Sequence, residues 1–223
     1  FPEARVEPIL DYNIFNPDGA SAAAVIKVKG SFILPVKTYR QLETDPMREL
    51  GNVFSKLRQV GEGAALQIVA KPAAKETSQR IASHAKLAYL GKAPITPDNL
   101  WRESFKLLTK NPSGQPKSPE EKVEERRLSP KEEEQVRRME SKSSKPLFET
   151  NIRIVASAAN RGRAEEIVRS IESVFLQFKD PGLNEFQSKL LSGRELKKTL
   201  YHFSFRVFDP RSSSILSSEE LTS

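Results

Sequence analysis

Two histidines, His84 and His202, are the only imidazoles in a 223-residue chain that has no cysteine. Nucleophilic catalysis needs a base held beside a hydroxyl or thiol, and imidazole is its usual form. His84 falls in a stretch with helical spacing and His202 among alternating aromatics, so both read as ordinary surface or sheet-face histidines. Carboxylates recur as Glu120 with Glu121, Glu132 to Glu134, Glu165 with Glu166, and Glu219 with Glu220. All fall on segments expected to be exposed, where such charges are solvated. A phosphate-binding loop of the form GxxxxGK[ST] is absent: GKAPIT at Gly91 lacks the upstream glycine and the hydroxyl after its lysine. GEGAAL at Gly61 has two glycines of a dinucleotide fingerprint but follows a helix. The expectation is a chain that is not an enzyme, with no catalytic residue, no metal ligand and no cofactor.

Nucleic-acid binding needs cations and stackable rings. Arg153, Arg161, Arg163, Arg169 and Arg206 lie near predicted faces and are the candidate backbone contacts, non-specific and salt-sensitive. Tyr201, Phe203 and Phe205 alternate near the C-terminus, but the glycine-aromatic signature of RNA-recognition modules is missing, and core packing is the favoured role of these rings. The net charge of +7 arises from 36 basic and 29 acidic side chains interspersed along the chain, which suits a solvated basic surface.

Composition sets the frame for these residues. An apolar share of 37% is enough for a core, no apolar run approaches the roughly 20 residues that span a bilayer, and neither disulfides nor thiolate metal sites can form. Phe1 at the start and SILSSEELTS at the end are expected to be cuts in a longer polypeptide.

Hydrophobic spacing then places the elements. A strand is expected around 5–10, and alternation predicts strands in AAAVIKVKG and over 32–42. Asp45 as N-cap and Pro46 at the first helical position open an amphipathic helix over 45–57, and a strand follows over 64–71. Further helices are predicted from Lys75 to about Leu90 and near Pro97. Ser118 and Ser129 each begin a Ser-Pro-x-Glu capping sequence within a charged stretch whose few apolar residues, Val123, Leu128, Val136 and Met139, are too few for a core. PLFETNIRIVASA reads as the clearest strand (147–158), and 163–178 as the clearest helix. TLYHFSFRVFD reads as a last aromatic strand over 199–208.

In order, these elements spell βαββαβ. The expected fold is α+β: a ferredoxin-like antiparallel sheet with extra N-terminal strands and a helical, charge-rich insertion between its halves. The divisions expected are 1–74 for the N-terminal strands and first half, 75–145 for a partly flexible insertion, 146–210 for the second half, and 211–223 for a linker towards a C-terminal domain.

Four stretches, LPVKTYRQLETDP, GEGAALQIVAKP, KPLFETNIRIVASAANRGRAEEIVRSIESVFLQF and SILSSEELTS, together resemble the region of unknown function that precedes the HerA/FtsK-superfamily ATPase domain in bacterial type IV secretion and conjugation-like motor proteins. The likeness covers most of the chain except the charged insertion. In that family a membrane segment precedes the region, and the phrase from Ile215 to Leu221 leads towards the motor domain. The resemblance implies a non-catalytic accessory domain serving assembly or coupling of the motor during DNA or protein transfer, with direct contact to translocated DNA as the alternative. The implied partners are the ATPase domain of the same parent chain, an oligomeric secretion or conjugation assembly and, on the alternative, DNA. The implied location is cytoplasmic at the inner membrane face, without membrane insertion by this fragment.

Overall fold

The computed structural model describes residues 13–58, 60–93, 95 and 128–223. They form a mixed α/β domain with a five-stranded antiparallel sheet and, among the described residues, six helices. In chain order these are β1 (Ala20–Val28), α1 (Pro46–Phe54), β2 (Gly63–Pro72), α2 (Lys75–Tyr89), α3 (Pro130–Ser143), β3 (Leu147–Ala158), α4 (Arg161–Val174), β4 (Phe186–Leu190), α5 (Gly193–Ser204), β5 (Ser214–Ser217) and α6 (Ser218–Leu221). The strand order is β2-β3-β1-β4, and β5 pairs with the first residues of β3. β3 is the spine of the sheet: Ile154 lies opposite both Leu66 of β2 and Ala24 of β1.

Alternation sorts the two faces. Ile152, Ile154 and Ala156 of β3, with Ala22, Ala24 and Ile26 of β1, form one core with Ala164, Ile167, Val168 and Ile171 of α4 and Leu50 of α1. Asp45 caps α1 by accepting from the Met47 amide at 2.9 Å, and Asn160 caps α4 by accepting from the Arg163 amide at 2.9 Å. A second core lies beyond β5, where Ile81, Ala85 and Ala88 of α2 meet Val136 and Met139 of α3, together with Ile33, Leu34 and Leu147. The Ser129 capping box forms as its sequence requires. The charged stretch nonetheless buries Val136 and Met139 fully, so two apolar side chains one turn apart dock α3, contrary to the expectation that such residues are too few.

Two predicted strands are corrected. Residues 32–42 make no strand. The Leu34 amide turns back to the Ser31 carbonyl at 3.1 Å, the Lys37 amide donates to the Phe178 carbonyl at 3.1 Å, and Pro35 has no amide to give. Phe32, Ile33 and Leu34 join the second core, and the first strand among the described residues is β1. Residues 199–208 are likewise not a strand but the end of α5 and the turn after it. Leu196, Leu200 and Phe203 fit a helical period as well as Tyr201, Phe203 and Phe205 fit a strand period. The edge strand β4 forms in a stretch where hydrophobic spacing predicts no element. The strand expected over 5–10, the helix near Pro97 and the Ser118 capping sequence lie outside the described residues.

Candidate functional site

The face of β3 turned away from the main core carries Asn151, Arg153, Val155 and Ser157, all buried. Arg153, opposite Val25 and Gln67, is 2% exposed. One terminal nitrogen donates to Gln67 Oε1 at 3.0 Å and to the His202 carbonyl at 3.1 Å, and the other donates to Asn151 Oδ1 at 2.9 Å and to the Val207 carbonyl. The guanidinium thus ties the C-terminal end of α5 to the sheet, where the helix dipole favours a cation. Burial pulls its pKa down, and the Asp209 carboxylate opposes that shift. This corrects the expectation of a nucleic-acid contact at Arg153, because its donors are spent inside the domain.

The other candidate arginines do not share one face. Arg161, Arg163 and Arg169 lie on α4, over the main core, whereas Arg206 follows α5 on the opposite side of the sheet. Arg161 pairs with Glu165 at 2.7 Å. Arg163 grips Glu62 through two nitrogens at 2.8 and 3.1 Å and reaches Glu166 at 3.4 Å. Those bonds, with the Arg58 amide, hold the Glu62 carboxyl well below its ordinary range, at about 2. His84 is on α2 and His202 on α5, two different helices. Burial, then Lys198 and Arg153, lower the pKa of His202, whose Nδ1 lies 3.8 Å from Asp209.

The paired glutamates at the C-terminal end are also corrected. Residues 214–221 form β5 and α6, and Glu220, expected to be exposed, is 5% exposed. Ser217 and Glu220 make a reciprocal capping box. The Glu220 carboxylate further accepts from the Val36 amide at 2.9 Å and from Lys142 Nζ at 3.1 Å, and Lys142 also donates to the Ile215 carbonyl at 3.2 Å. One carboxylate therefore joins α3, the segment after β1 and the C-terminal helix. Around it a cleft of about 240 Å³ is rimmed by Thr38, Arg40, Arg138, Lys145 and Glu219. Glu219 pairs there with Arg40 at 3.3 Å and with Lys145.

The profile of a domain family of unknown function, DUF8128, matches residues 2–223. The chain belongs to this family. No curated protein and no solved structure matches it. Among the described residues no group of three His, Cys, Asp or Glu side chains is arranged to hold a metal, and no helix is long and apolar enough to cross a membrane.

The family domain also displays an aromatic ridge. Tyr201 on the last turn of α5 and Phe205 directly after the helix are 58% and 67% exposed with ring centroids 4.7 Å apart. The strand reading kept these rings in the core. Helical spacing instead sends Phe203 inward, 6.2 Å from Phe15 in an edge-on contact, and turns the other two out.

Proposed function

We propose that the domain is a non-catalytic accessory part of a type IV secretion or conjugation-like ATPase, serving assembly or coupling of the motor during DNA or protein transfer. The observation that carries this reading is the anchoring of the SILSSEEL phrase. On the family resemblance this phrase leads towards the motor, and here Glu220 fixes it to α3 and to Val36 through buried bonds. A connection built this way passes on orientation as well as proximity, which is what coupling a ring to its neighbours requires. The strand order β2-β3-β1-β4, with α1 and α4 against one face, supports describing the sheet as ferredoxin-like, with β5 and α5 as additions and residues 75–145 as the insertion.

Sequencing the parent gene beyond Ser223 tests the reading. A GxxxxGK[ST] motif in the following domain is expected, and a stop codon directly after Ser223 overturns it. Given that motif, Glu220→Gln in the full protein is expected to lower stimulated ATPase turnover while leaving nucleotide affinity unchanged.

A further inference from the structure

We propose that the outer face of α5 is a stacking platform for single-stranded nucleic acid. This inference rests on the ridge and not on the motor reading.

Tyr201 and Phe205 are large, exposed and neighbouring, and their outward placement is not a by-product of packing: Leu196, Leu200 and Phe203 already serve the inward face of the helix. Cations flank the rings at both ends. Arg194 and Lys197 are exposed on the turns before Tyr201, and Arg206 is exposed directly after Phe205. Among the described residues no ion pair engages Arg194 or Lys197, whereas Glu195, the acidic residue between them, is held by Lys189 at 2.8 Å. The strip therefore presents net positive charge around two π faces over about 18 Å of helix.

Charge complementarity selects a polyanion, and the rings select one whose bases are free to stack. A duplex keeps its bases paired and offers this strip only phosphates. An anionic membrane fits less well, because interfacial helices bury a broad apolar face, and that face of α5 is on the sheet.

The test is fluorescence anisotropy of the full chain with a labelled oligothymidine of about 20 nucleotides. Salt-sensitive binding is expected, with Tyr201→Ala and Phe205→Ala each weakening it about tenfold. Arg194→Ala and Lys197→Ala are expected to flatten the salt slope by about 0.7 each. Tyr201→Phe keeps the stacking surface and is expected to retain affinity, which separates lost stacking from lost folding. Absence of binding at low salt, affinity unmoved by both aromatic substitutions, equal affinity for a duplex of the same length, or binding only to phosphatidylserine vesicles would each overturn the proposal.

Discussion

Lys142 Nζ lies 3.1 Å from the Glu220 carboxylate, with the two side chains only 2% and 1% exposed. Seventy-eight residues separate them, so the pair joins a helix of the charged stretch to the end of the described chain. Both charges have left water, and each depends on the other and on backbone partners: Ile215 for the lysine, Val36 and Ser217 for the glutamate. Removing one partner of such a pair typically costs about 3–5 kcal/mol, because the survivor stays buried and uncompensated. Lys142→Met and Glu220→Gln are each expected to fall near that range in urea denaturation, and the double substitution well short of their sum. Additive losses would show that the two residues act separately.

Glu62 gives the domain an acid-sensitive contact. Its pKa drops from 4.5 to about 2 on folding, chiefly through the hydrogen bonds from Arg163. A depressed carboxylate stabilises the fold fully above its unfolded pKa, and this contribution is lost as pH falls from about 4.5 towards 2. Because Arg163 is 37% exposed, solvent screening reduces the effect to about 2 kcal/mol. Glu62→Gln is expected to destabilise the domain by that amount at pH 7 and very little near pH 2, read as urea midpoints across the pH series. An equal loss at both ends would remove the titration from the account.

β3 and α4 were legible in the sequence because each carries an unbroken period, of two from Phe148 and of 3.6 from Ala164. Residues 199–208 were misread because their aromatics satisfy both periods, and only the turn at Arg206 and the sheet beneath decide between them. The Arg153 network needs residues from β2, β3 and the end of α5, and no local pattern reveals such a meeting. A partial signal did exist for Lys142: it continues the stripe of Val136 and Met139 at three-residue steps, which places it on the buried side of α3. Its partner, in contrast, is set by topology alone.

Thr150 faces the main core on β3 with its hydroxyl buried and lacking a hydrogen-bond partner among the described residues. A hydroxyl taken out of water without compensation costs stability, and valine keeps both the β-branched shape and the strand preference. Thr150→Val is expected to stabilise the domain by about 1 kcal/mol, measured as a higher urea midpoint with an unchanged slope. A lower midpoint would mean that the hydroxyl finds a partner in solution.

Arg206 closes α5 in the form usually given to glycine. Its amide donates to the Phe203 carbonyl at 3.2 Å, and the Val207 amide donates to the His202 carbonyl at 2.9 Å, so the two bonds wrap the helix end around a left-handed residue. A side chain in that conformation costs about 1–2 kcal/mol, part of which glycine gives back through the greater freedom of its unfolded chain. Arg206→Gly is therefore expected to raise stability by about 0.5–1 kcal/mol in urea denaturation. The same substitution removes a cation from the ridge and is expected to weaken oligothymidine binding. Opposite signs in the two measurements would mark Arg206 as a residue kept for contact at the expense of the fold, whereas a loss of stability would show that its own contacts within the domain outweigh the strain.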